Sequence, residues 1–103
     1  MKLIVDLTGV SGAVYRFHRF EGGQIPATGG NFAHVQEKDG ARRVVGFGRA
    51  RSLIQALAGP NGEPREAEGD LYVRLNVVAA LQDSEYEDLV GALPEPFARC
   101  DLA

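Results

Sequence analysis

Asn31-Phe32-Ala33-His34-Val35-Gln36-Glu37-Lys38-Asp39-Gly40-Ala41-Arg42-Arg43-Val44-Val45-Gly46-Phe47 is the stretch on which the fold turns. Asp39-Gly40 is a dipeptide that accepts the positive backbone angles of a tight hairpin turn. The runs on either side, Asn31 to Glu37 and Ala41 to Phe47, are therefore expected to pair as antiparallel strands.

Upstream, Ala13 to Phe20 alternates Tyr15 and Phe17 against Val14, Arg16, His18 and Phe20, the period of a strand with its aromatic residues on one face. Leu3 to Val5 reads as a short strand before it, and Gly9 to Gly12 supply the turn that lets the two pair. Gly22 to Gly30 is rich in residues that break regular structure and reads as a loop.

Downstream of Gly48, Ala50, Leu53, Ile54 and Leu57 fall on one face of a helix that ends near Gly59-Pro60. Residues 59–70, GPNGEPREAEGD, form a long loop of Pro, Gly and charge. Leu71 to Val77 alternates Leu71, Val73 and Leu75 with Tyr72, Arg74 and Asn76, a strand with one buried face. Ser84 and Glu87 have capping-box spacing, so a last helix is expected to start there, carry Tyr86, Leu89, Val90 and Leu93 inward, and stop at Pro94 and Pro96. The sum is one α+β domain over residues 1–103, a mostly antiparallel sheet of about four to five strands with two helices.

Size and composition agree. A chain of 103 residues with 45% hydrophobic and 24% charged residues supports one hydrophobic core and is too apolar for intrinsic disorder. No apolar run approaches the roughly 20 residues of a membrane-spanning helix, and Met1 to Asp6 lacks the pattern of a signal peptide, so the expectation is a cytoplasmic protein without membrane association. Cys100, the single cysteine, forms no internal disulfide, and neither His18 nor His34 has metal-ligand spacing. No metal or other cofactor is expected.

Charge is uneven: the net +4 of residues 1–51 faces a net −7 in residues 52–103. Arg42, Arg43, Arg49 and Arg51 follow one another with no acid between them, a candidate phosphate-binding surface to which Arg16 and Arg19 could add. Tyr15 and Phe17 are candidates for base stacking, with sheet core as the alternative. Glu85, Glu87 and Asp88 gather carboxylates that helix capping explains and that could also hold a hard cation.

The order hairpin, amphipathic helix, strand, terminal helix and proline-rich turn, over about residues 13–97, resembles the GIY-YIG endonuclease-like superfamily. Gly30-Asn31-Phe32 lies where the family's G-I-Y segment sits, and Gly46-Phe47-Gly48 where Y-I-G ends the second strand. The resemblance implies a phosphodiester-cleaving site built from two tyrosines, a helix arginine, a metal-binding glutamate and a terminal asparagine. At those positions this chain carries Phe32, Gly46, Ala56, Tyr86 with Glu85 and Glu87 beside it, and Phe97. Phenylalanine and alanine can neither activate a water nor stabilise charge on phosphate. The resemblance therefore points to a degenerate, non-catalytic domain that binds a protein partner or regulates one. A nucleic-acid-binding module using the four arginines is the alternative, and a residual Mg²⁺-dependent nuclease centred on Glu85 or Glu87 the second.

Overall fold

In the computed structural model, residues 3–60, 64–65, 69–92 and 98–101 are described, the last four by their backbone alone. The hairpin at the centre forms as expected: β3 (Gly30–Lys38) pairs with β4 (Ala41–Ala50), and Asp39 (φ 54°) and Gly40 (φ 78°) make the turn. β1 (Ile4–Thr8) and β2 (Val14–Arg19) form a second hairpin. α1 (Leu53–Leu57), β5 (Asp70–Leu75), α2 (Ala79–Ala92) and β6 (Ala98–Asp101) complete the chain.

The strands form one sheet in the order β1-β2-β5-β3-β4-β6. β1 to β5 are antiparallel throughout, and β6, which the sequence reading did not anticipate, adds parallel to β4 along Gly46–Arg49. An α+β domain with a mostly antiparallel sheet and two helices is the architecture observed.

The helices cover opposite faces of the sheet, because neighbouring residues of a strand point to opposite sides. On one face, Val5, Phe17, Ala33, Val35, Phe47 and Tyr72 pack with Tyr86 and Leu89 of α2. On the other, Phe32 and Leu71 pack with Ile25, Ala50 and with Leu53 and Leu57 of α1. The sheet curls around the α2 side far enough that β1 and the lower half of β4 line one groove. A bulge helps: the register shifts between His34 and Val35, leaving Val45 without a partner, so Val44 and Phe47 face the same side.

Several boundaries differ from the sequence reading. Ala50 belongs to β4, where it pairs with Gly30, and α1 starts only after Ser52, whose extended backbone and hydroxyl cap the helix at Gln55 N–H. The last helix starts at Ala79, five residues before Ser84. Ala79, Ala80 and Leu81 are good helix formers, and Asn76 Oδ1 accepts from Val78 N–H to fix the entry. The capping box does not form: Ser84 Oγ donates back to Leu81 O, and Glu87 reaches toward Arg49. In β5 both Leu71 and Tyr72 are buried, since both faces are covered at that point, whereas Leu75 is exposed. Residues 61–63 and 66–68 of the long loop, and Leu93 to Phe97, lie outside the described residues.

Candidate functional site

α2 crosses the sheet at the end where β3 begins and β4 ends. Its docking face is as polar as it is apolar, with Gln82, Glu85, Tyr86 and Leu89 all buried. Three-residue steps along a helix stay near one face. Gln82, Glu85 and Asp88 use those steps to meet successive parts of the sheet.

Gln82 accepts from Arg51 Nη1 at 2.7 Å, donates to Asn76 O, and its backbone carbonyl accepts from the fully buried Asn31 Nδ2 at 3.3 Å. Glu85 accepts from Arg74 Nε at 2.7 Å and from Asn76 Nδ2 at 3.0 Å. Asp88 accepts from Ser11 N at 2.8 Å, Ser11 Oγ at 2.6 Å and Tyr15 Oη at 2.7 Å, tying the β1–β2 turn to the helix. The Ser11 and Tyr15 bonds hold the Asp88 carboxyl below its usual range, and the same Asp88 bond, with burial, pushes the Tyr15 phenol up.

A second row on α2 holds the end of β4. Arg51 Nη2 donates to both oxygens of Asp83 at 2.9 and 3.0 Å. Arg49 lies between Asp83 (3.2 Å) and Glu87 (3.8 Å), with its guanidinium 4.8 Å above the centre of the Tyr86 ring. The 3.2 Å Arg49–Asp83 contact is an ion pair without hydrogen-bond alignment. Tyr86 also stacks on Phe47, centroids 5.4 Å apart and planes 6° from parallel.

The structure divides the four-arginine surface. Arg49 and Arg51 are committed to Asp83 and Glu87, while Arg42 and Arg43 stand near the hairpin turn, about 20 Å away along the strand at 3.3 Å per residue. Arg43 donates to the neutral Gln36 Oε1 at 3.3 and 3.2 Å, and Arg42 has no hydrogen bond or ion pair among the described residues. Arg16 pairs with Asp6 at 3.0 Å and Arg19 with Asp70 at 3.5 Å. Phe17 is core, and Tyr15 serves Asp88.

The family-motif positions are divided as well. Phe32, Gly46 and Gly48 lie on the α1 face, where Ala56 also packs, whereas Tyr86, Glu85 and Glu87 belong to the α2 face. Gly30 sits between β4 and β5 with its Cα against the Arg74 carbonyl. Gly46 faces His34, whose Cδ2 would lie 3.2 Å from a Cβ added there, so a side chain at this position requires the His34 ring to shift. His34 is half-buried, which lowers the imidazole below its usual range, and its Nδ1 makes no hydrogen bond. Glu85 and Glu87 point to Arg74 and Arg49 respectively and do not converge. No group of three His, Cys, Asp or Glu suited to a metal occurs among the described residues. Phe97 lies outside them.

The sequence reading missed the docking role of Gln82, Asp83 and Asp88. The signal was present: polar residues at 82, 85 and 88, and acids at 83 and 87, repeat at helical spacing. Among the described residues no helix is long and apolar enough to cross a membrane. Comparison with family models, with curated proteins and with solved structures gives no match for this chain.

Proposed function

We propose that this chain is a non-catalytic protein-interaction or regulatory domain on a degenerate GIY-YIG-like scaffold. The observation that carries the reading is the fate of the reactive groups. Arg49, Arg51, Arg74, Glu85 and Asp88 are bonded within the α2–sheet junction, and the sheet separates Phe32, Gly46 and Ala56 from Tyr86. Releasing Arg74 from the nearly buried Glu85 for a substrate is costly, while the more exposed pairs of Arg49 and Arg51 hold those side chains less firmly.

The free surface has a different chemistry. Leu75 (55%), Val77 (78%), Val78 (48%) and Leu81 (50%) are exposed within seven residues at the corner between β5 and α2, and β1 is an uncovered sheet edge among the described residues. Exposed apolar residues and unpaired strand edges are features of surfaces that meet other chains.

Affinity purification with the intact chain as bait tests the reading. A reproducible protein partner that is lost from a surface variant is expected, and recovery of chaperones alone counts against it. The second reading, a nucleic-acid-binding module, is favoured by one observation: Arg42 and Arg43 have no acid partner among the described residues. It requires affinity that falls steeply with salt and depends on those two side chains.

A further inference from the structure

β1 has one unused side. Arg19 N donates to Leu3 O at 2.8 Å, which fixes the phase of the β1–β2 ladder. Residues 3, 5 and 7 therefore bond to β2, and the backbone N–H and C=O of Ile4 and Asp6 point outward, with no strand beside them among the described residues.

The side chains alternate in the same step. Leu3, Val5 and Leu7 share the α2 side of the sheet, and Ile4, Asp6 and Thr8 the other. On the α2 side lies the groove between β1 and the lower half of β4, about 400 Å³, with Val5, Leu7, Val35 and Val44 as its floor. Leu3 lies past the end of that groove and is 56% exposed. One short strand carries an uncovered apolar side chain at one end and an unfilled apolar groove toward the other, with Val5 midway between Leu3 and Leu7.

Charge does not select the occupant. Arg43 projects away from the floor toward Gln36, Arg42 stands across the ladder from Glu37, and Asp6, also turned away from the floor, is held by Arg16 at 3.0 Å. What remains to be matched is an apolar side chain and a strand edge.

We propose that β1 pairs antiparallel with β1 of a second copy of this chain about a two-fold axis at Val5. Ile4 of each copy then stands opposite Asp6 of the other, and both such pairs exchange both backbone N–H···O bonds. Val5 meets its own counterpart. Leu3 of each copy lies against Leu7 at the groove of the other, in the non-hydrogen-bonded pairs where side chains approach most closely. Knob and groove sit on opposite sides of the axis, so each copy covers the other and the contact closes as a dimer. An axis at Asp6 would set the two Asp6 carboxylates directly opposite, which is unfavourable, and an axis at Leu7 would leave Leu3 uncovered. The inference goes beyond the interaction-module reading, whose partner is a different protein, and neither depends on the other.

Sedimentation equilibrium of the intact chain over a range of concentrations tests it, with the mass expected to rise toward twice the 11.1 kDa of one chain. In an equal mixture of isotope-labelled and unlabelled chains, filtered NOEs should connect the Leu3 methyls of one copy with the Leu7 methyls of the other. Ile4→Pro removes an outward N–H that the β1–β2 ladder does not use, and Leu3→Glu changes an exposed side chain, so the fold should survive both. Each should weaken dimerisation about tenfold or more, because a two-fold contact loses the interaction twice. Asp6→Asn should leave the affinity nearly unchanged.

The mass of a single chain at every concentration up to about 1 mM, the weak end of specific association, overturns the proposal. So does a dimer indifferent to both Ile4→Pro and Leu3→Glu, or one whose filtered NOEs come from the Leu75 to Leu81 corner. A dimer strengthened by Asp6→Asn overturns the axis at Val5. A monomer whose Ile4 and Asp6 amides shift instead on adding an unrelated apolar peptide overturns the second copy as the occupant.

Discussion

Replacing Arg74 with Met keeps the aliphatic length over the Tyr15 ring, whose centre is 5.4 Å from the guanidinium carbon, and removes the charge facing Glu85. The Glu85 side chain is 11% exposed and that of Arg74 31%, so the carboxylate would be left nearly buried with Asn76 as its remaining partner. Breaking a buried pair by removing one partner costs about 3–5 kcal/mol. Partial exposure of the arginine and the surviving Asn76 bond reduce this to about 2–3 kcal/mol. Glu85→Gln keeps the shape and loses charge-assisted bonding, at about 1 kcal/mol.

The double variant removes both charges together, and its total should be no more than about 1 kcal/mol, because a buried pair replaced as a unit is nearly neutral. The coupling between the two sites is then at least about 2–3 kcal/mol, readable in urea unfolding with an unchanged slope. Additive losses, or an Arg74→Met cost under about 0.5 kcal/mol, would show that the polar face of α2 is not what docks it.

Leu89, fully buried under α2, should cost about 2–5 kcal/mol as Leu89→Ala in the same unfolding experiment. Gly30→Ala would drive a Cβ into the Arg74 carbonyl between two strands, and a loss of about 1–3 kcal/mol or failure to fold is expected in the same unfolding experiment. Asp88 is depressed in the folded state, so its contribution is present above the unfolded carboxylate value and is lost as pH falls through the lower folded one. Acid unfolding followed by circular dichroism should therefore shift to higher pH in Ser11→Ala with Tyr15→Phe, which remove the two hydroxyl bonds that depress it and leave the Ser11 backbone bond in place.

The β3–β4 hairpin was legible because Asp39-Gly40 admits few alternatives, and the turn sets its register as far as Val35 and Val44, beyond which a bulge that no local pattern announces shifts it by one residue. The start of α2 was misread because Ser84 and Glu87 satisfy a local pattern, while the helix is set by Asn76, Val78 and the alanines before it. β6 was missed since four residues after two prolines carry no alternation, and its pairing depends on the outer edge of β4.

The arginine cluster shows the limit of linear reading. Arg42 and Arg43 are separated from Arg49 and Arg51 along a strand, and which of them retains a free charge is decided by Asp83 and Glu87, more than thirty residues later. The family-motif positions fail to gather for a related reason. Alternation along β3 and β4 places Phe32, Gly46 and Gly48 on the face away from α2, and no local pattern reports which helix covers which face.

The most direct test of the non-catalytic reading is incubation of the pure protein with labelled single- and double-stranded DNA and RNA, with and without Mg²⁺ or Mn²⁺, at low and physiological salt. Intact substrate under every condition, with no mobility shift at physiological salt, is the expected result. Metal-dependent products abolished by Glu85→Gln or Glu87→Gln in a folded variant would contradict it.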